Sequence, residues 1–227
     1  MKKDAFKKEI AFERVLFFGD AVVAIAITLL ALNLKLEIPS ETHLSFRDLT
    51  LPWKNILAFT LSFINIAGFW KTHHDFFIYI KKMDERLLTL NIVWLFTIVT
   101  LPFTTTVLSS HFADSPAIFL YSLNILLVTV LQNFIWDYSV LQKGFIDNES
   151  LSGEGKKRFQ TMCNLDMVNG FIAVILSFFF PVLAFILLFT KVPIFIIGTL
   201  YIARQKRKVM SDKKATPPER HQRWKKH

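Results

Sequence analysis

Arg14-Val-Leu-Phe-Phe18-Gly19-Asp20-Ala-Val-Val-Ala-Ile25-Ala-Ile-Thr28-Leu-Leu-Ala-Leu32-Asn-Leu34 decides the fold. The run from Val15 to Leu34 gives ~30 Å of helix, about one hydrocarbon core. It also holds groups that a plain anchor does not need. Asp20 lies in the first turns, Arg14 at the mouth and Thr28 midway. A carboxylate at membrane depth costs at least ~2.5 kcal/mol on insertion scales, so it faces protein or water rather than lipid. On a helical wheel Arg14, Ala21, Ile25, Thr28 and Leu32 cluster on one side. Asp20, Ala24 and Ala31 form a neighbouring face of small residues that admits a second helix closely.

The rest of the chain has the same character. Of 227 residues 52% are hydrophobic and 24 are Phe, an apolar excess that marks a polytopic membrane protein rather than a soluble domain. The lone cysteine, Cys163, excludes an intrachain disulfide. The net charge of +9 is spread between apolar runs and in the tail, which is the pattern of membrane topology and not of a nucleic-acid-binding face. The first run is expected to be a retained span rather than a cleaved signal peptide, because apolar sequence continues past Ala24-Ile-Ala26.

The expected fold is all-α, with six transmembrane helices. The spans fall at about 15–34, 51–70, 87–108, 116–140, 164–180 and 181–203 in one channel domain, 1–203, followed by a basic disordered tail, 204–227. Helix two is expected to project beyond the membrane through Phe76 to Ile80. Pro181 divides the last apolar run; the alternative is one span to Thr190 followed by a re-entrant segment. Lys191 falls in the sixth span without an obvious partner; Asp166 and Asp137 are candidates. Lysines and arginines gather before span one, after spans two and four, and in the tail. Both termini are therefore expected in the cytoplasm.

Five polar groups are expected on the cytoplasmic side. Arg14 and Asp20 are six residues apart, so they cannot pair along one helix face and need partners elsewhere. His73, His74 and Asn91 fall at the same depth on spans two and three, and a shared network with Asp20 is expected. The adjacent histidines diverge on a helix, so no metal site is expected. Ile25, Thr28 and Leu32 form a stripe. Such spacing commonly means packing, but the stripe would also suit a shared axis, where branched side chains form a hydrophobic constriction and Thr28 supplies the one side-chain oxygen. Trp53, Trp70, Trp94 and Trp136 read as packing and interface residues, and Pro102 as a kink or end of span three whose freed carbonyls the following threonines satisfy.

These residues bring a family into view. Arg14, three residues, then Phe18-Gly19-Asp20 resembles the first-helix signature of the transmembrane protein 175 family, where Arg, three residues and Phe-Ser-Asp are usual. Ala24-Ile-Ala-Ile-Thr-Leu-Leu30, Phe69-Trp-Lys-Thr-His-His74, Leu87-Leu-Thr-Leu-Asn91 and Leu101-Pro-Phe103 extend the likeness. The resemblance implies a homotetrameric potassium channel in which helix one lines the pore. Ile25 would stand at the narrowest point, with Thr28 and Leu32 layers beside it, and there would be no carbonyl-lined filter. Potassium is then the permeant ion, with no cofactor and no enzymatic activity. A bacterial plasma membrane is the expected site, and the basic tail is a candidate contact for anionic lipid. Gly19 departs from the family serine. The rival reading is a secondary transporter or a proton or cation leak pathway of the same architecture.

Overall fold

A computed structural model describes residues 2–32, 34–35, 43–147 and 149–189. They form α1 (Lys2–Ala31), α2 (Trp53–Tyr79), α3 (Glu85–Ser110), α4 (Ser115–Leu141), α5 (Gly153–Phe179) and α6 (Pro181–Leu188), with a 3₁₀ turn at Asp48–Thr50. Among the described residues there is no strand beyond one isolated bridge, Ile80 to Ile146. Four helices are long and apolar enough to cross a membrane: Ile10–Ala31 of α1, α3, α4 and α5. The 27-residue α2 is not among them; Lys54, Ser62, Asn65 and Lys71 interrupt its apolar sequence. Lys191, most of the expected sixth span and the basic tail lie outside the described residues.

Each boundary has a local cause. Asp84 caps α3, its Oδ1 accepting from Leu87 N at 2.9 Å. Ser152 caps α5, its Oγ accepting from Gly155 N at 3.1 Å. That cap starts the helix eleven residues before the expected span at 164, so the charged segment after Gly153 is the first part of α5. The helix ends at Phe179 and α6 opens on Pro181, the expected break, since proline suits a first helical turn. The charged lead before Arg14 is likewise helical, as the N-terminal part of α1. Helix α2 continues to Tyr79, as its apolar extension implied.

Pro102 neither ends nor interrupts α3. The threonines that follow it bond the carbonyls of Leu101 and Pro102: Thr105 Oγ1 donates to Leu101 O at 2.7 Å and Thr106 Oγ1 to Pro102 O at 2.9 Å. They do not reach the Ile98 carbonyl, the one that a proline at 102 leaves free.

Helix α3 is central and packs against α1, α2 and α4, while α5 packs along α4. The buried positions are unusually polar. Ser62 and Asn65 of α2, Thr104 and Thr105 of α3, and Ser122, Asn124, Gln132 and Asn133 of α4 all face inward. Phe63, Phe96, Phe103, Phe134, Phe171 and Phe178 face outward. Water would penalise that arrangement; a bilayer favours it, because hydroxyls and amides then pair across helices while phenyl rings meet lipid. The pairing is direct. Ser62 Oγ lies 2.7 Å from Thr105 Oγ1 and donates to Tyr121 OH at 3.0 Å, and Asn65 Nδ2 also donates to Tyr121 OH. Gln132 Nε2 donates to the Phe69 carbonyl at 3.0 Å. These bonds join α2, α3 and α4 through the middle of the bundle. The chain is a multi-pass membrane protein.

At the end rich in lysine and arginine, the loop after α2 clasps the loop after α4. Lys81 N donates to Phe145 O at 2.7 Å and Asp147 N to Tyr79 O at 2.9 Å, while Lys81 Nζ stands 3.8 Å from Asp147 Oδ2. Gly144 permits the return of the chain with φ of 77°. Tyr138 OH donates to Asp84 Oδ2 at 2.5 Å, tying the α3 cap to α4. Burial pushes the Asp84 carboxyl up, but the Tyr138 hydroxyl, the Leu87 N–H and the Arg86 charge outweigh it and hold it below its ordinary value.

Candidate functional site

Helix α1 has two sides. Gly19, Val23, Ala26 and Leu30 are buried against the neighbouring helices. Their spacing of four, three and four residues is one helical face. The small residues among them let α1 approach closely; a Cβ at Gly19 would meet the Leu95 methyls of α3 at 3.9 Å. The opposite side carries Asp20, Ala21, Ala24, Ile25, Thr28, Ala31 and Leu32, all exposed. Ile25 is 58% and Leu32 66% exposed, so the Ile25–Thr28–Leu32 stripe is not spent on packing within the chain. Thr28 Oγ1 donates to the Ile25 carbonyl at 2.8 Å. That fixes the hydroxyl hydrogen toward the backbone and leaves the oxygen's lone pairs on the exposed side.

Two separate contacts lie at the basic end of the bundle, one between α1 and α2 and one between α2 and α3. Trp70 Nε1 donates to Asp20 Oδ1 at 2.8 Å, and the Trp70 indole stacks on the His74 ring at 5.4 Å between centroids. One turn along α2, the buried His73 contacts α3. Its Nε2 donates to Asn91 Oδ1 of α3 at 2.7 Å, and its ring lies nearly parallel to Trp94 with centroids 4.2 Å apart. The histidines therefore diverge, as their adjacency requires. Among the described residues no group of His, Cys, Asp and Glu is arranged to hold a metal.

The expected single network is thus two pairs. Asn91 meets His73 but not Asp20; Asp20 takes the indole of Trp70, a residue that the sequence marked only as an interface or packing residue. Arg14 and Asp20 make no ion pair with each other. Arg14 instead lines a groove of about 380 Å³ with Val15, Phe18, Leu88, Asn91 and Ile92. Asn91 Nδ2 is buried there without a hydrogen-bond partner among the described residues. Phe18 is 59% exposed at the same groove.

Residues 14–102, from the signature arginine to the proline of α3, match the family model described as endosomal/lysosomal potassium channel TMEM175. Over these residues the chain is similar to the TMEM175 family. This is a family of channels, not of enzymes. A protein named a potassium channel from Streptomyces collinus is 33% identical over 104 residues, which are 46% of this chain and 50% of that one. Another so named, from a Chryseobacterium species, is 27% identical over 168 residues, 74% of this chain and 83% of that one. The chain thus matches half the length of the first relative and most of the second. The crystal structure described as a lysosomal potassium-selective channel TMEM175 homologue from Chamaesiphon minutus superposes with a TM-score of 0.71. The sequences are 25% identical, and the match covers 82% of this chain and 96% of that one.

Proposed function

We propose that this chain is the subunit of a homotetrameric, potassium-permeable channel with α1 of each copy around the central axis. The observation that carries the reading is the two-sidedness of α1. Its small, buried face fixes it to α2 and α3, and its opposite face presents Ile25, Thr28 and Leu32 unpartnered. Four such stripes would form stacked rings, with Ile25 as a hydrophobic constriction and Thr28 as the oxygen layer. Apolar rings replace little of an ion's hydration shell, so selectivity for potassium over sodium is modest. The contacts of Asp20 with Trp70 and of His73 with Asn91 hold the stripe in register. Potassium is the permeant ion and no cofactor is needed.

The same reading places six spans in a bacterial plasma membrane with both termini in the cytoplasm. The charge bias of the loops supports that orientation. Anionic lipid is the partner of the basic tail.

Potassium flux into liposomes tests the pore assignment. Ile25→Asn puts a polar ring at the constriction and is expected to raise leak and lower selectivity. Unchanged flux, with the variant still tetrameric, overturns it. Flux that saturates and requires a coupled proton gradient would point to a secondary transporter instead.

A further inference from the structure

At the end of the bundle opposite the basic loops, residues 43–54 precede and open α2. This segment carries five exposed apolar side chains: Leu44, Phe46, Leu49, Leu51 and Trp53, with Phe46 91% exposed. None lies within the four apolar helices, and Leu44, Phe46 and Leu49 also precede the expected second span at 51–70. A short loop bathed in water is normally polar, and large apolar groups gathered on one mark a contact surface.

Part of the backbone of this segment is also paired locally. Asp48 N donates to Ser45 O, Thr50 N to Arg47 O and Leu51 N to Asp48 O, while Asp48 Oδ2 accepts from Ser45 N at 2.8 Å. Successive turns closed in this way remove the polar groups that would resist transfer from water. Exposed Arg47 and Lys54 supply cations beside the apolar groups. Trp53 packs edge-on against Phe112 of the α3–α4 turn, and Phe112 meets Phe185 of α6 in the same way. Lys54 Nζ lies 5.9 Å over the Phe112 ring. The segment therefore continues an aromatic belt of the kind that sits at headgroup level.

We propose that residues 43–54 form an in-plane membrane anchor. Leu44, Phe46, Leu49 and Leu51 would insert at the boundary of headgroups and acyl chains, with Arg47 and Lys54 at lipid phosphates. The occupant is the lipid surface itself. Continuity with the Trp53–Phe112 belt and the flanking cations favour lipid over a second copy of the chain. The anchor would fix the depth at which α2 enters the bilayer, and it rests on the membrane placement of the chain, not on ion conduction.

The test uses the full chain in phosphatidylcholine vesicles containing phosphatidylglycerol. Phe46→Cys is labelled with an environment-sensitive fluorophore, and Glu149→Cys serves as the water-exposed control. The parent chain, whose one cysteine is buried, gives the background. Circular dichroism confirms that both variants fold. The expected result at position 46 is a blue-shifted emission, iodide quenching several-fold weaker than at 149, and stronger quenching by shallow than by deep nitroxide-labelled lipids. Iodide quenching equal to that at 149 overturns the anchor in favour of a hydrated loop. Protection from both quenchers overturns it in favour of contact between copies. Stronger quenching by the deep nitroxide overturns it in favour of a segment within the bilayer.

Discussion

The indole Nε1 of Trp70 donates to Asp20 Oδ1 across 2.8 Å, and this polar bond joins α2 to the exposed side of α1. Both residues are partly open to solvent, so water competes for the carboxylate. Trp70→Phe keeps most of the ring and removes the donor. The expected cost is about 1 kcal/mol, below the ~1.5–3 kcal/mol of a bond to a charged group because water competes here. Thermal unfolding in detergent measures it. If α1 position depends on this bond, the variant also shows altered ion flux while Asp20→Asn, which keeps an acceptor oxygen, loses less. Equal effects of Trp70→Phe and of an exposed control such as Phe96→Leu would remove Trp70 from this role.

His73 and Asn91 form a second tether with different energetics, because both are buried. Removing one partner leaves the other desolvated. Asn91→Leu is expected to cost about 1–3 kcal/mol through an unpaired His73 Nε2. The double variant His73→Phe with Asn91→Leu is expected to recover part of that loss, since neither polar group is then stranded. Additive losses in the cycle would mean that the 2.7 Å contact contributes little beyond packing on Trp94.

The clasp between the two basic-end loops is expected to depend on pH through Asp147. The Ser150 hydroxyl donates to its Oδ2 at 2.7 Å, and that bond, with the Glu149 and Ser150 backbone and the Lys81 charge, outweighs a burial effect of opposite sign. The carboxyl is held below its ordinary 3.8. A depressed folded-state value contributes stability that is present above the ordinary value and is lost as pH falls through the folded one. Protection of the Lys81 and Asp147 amides, taken relative to intrinsic exchange at each pH, is therefore expected to fall between about pH 6 and about pH 3, and Asp147→Asn flattens that part of the dependence. Protection at both amides that is the same at the two pH values, or a dependence that survives Asp147→Asn, refutes the assignment.

What the sequence allowed to be read depends on the kind of signal. Long apolar runs located the helices, and the break before Pro181 was legible because proline has one comfortable place in a helix. The inability of Arg14 and Asp20 to pair along one helix also followed from spacing alone. The start of α5 was obscured because its first turns are charged; the cap at Ser152 is a single side-chain bond and leaves no apolar trace. Trp70 was missed as the partner of Asp20 for a related reason. Tryptophan at a span end has an ordinary interfacial meaning, and only the rotation of α2 against α1 brings its N–H to the carboxylate. The buried Ser62–Thr105–Tyr121 contact was likewise invisible, since hydroxyls on three different helices have no shared period. The stripe of Ile25, Thr28 and Leu32 was visible, but its exposure was not. That exposure separates packing within the chain from a surface awaiting another occupant.

Two glycines make opposite predictions from the same kind of measurement. At Gly170 of α5, an added Cβ would stand 3.2 Å from the Leu126 Cα of α4, a backbone atom that cannot step aside without moving its helix. Gly170→Val is therefore expected to force α4 and α5 apart at a cost of about 1–3 kcal/mol, read as a lower unfolding temperature. At Gly19 of α1 an added Cβ meets only the Leu95 methyls at 3.9 Å, an ordinary contact. Gly19→Ser then gains helix propensity, about 0.5 kcal/mol, with no steric loss. The family serine should thus fit this chain, and flux should stay near that of the parent. A destabilised Gly19→Ser would mean that α1 sits closer to α3 in the assembled membrane protein than Leu95 alone implies. A neutral Gly170→Val would mean that the α4–α5 seam is loose enough to absorb a branched side chain.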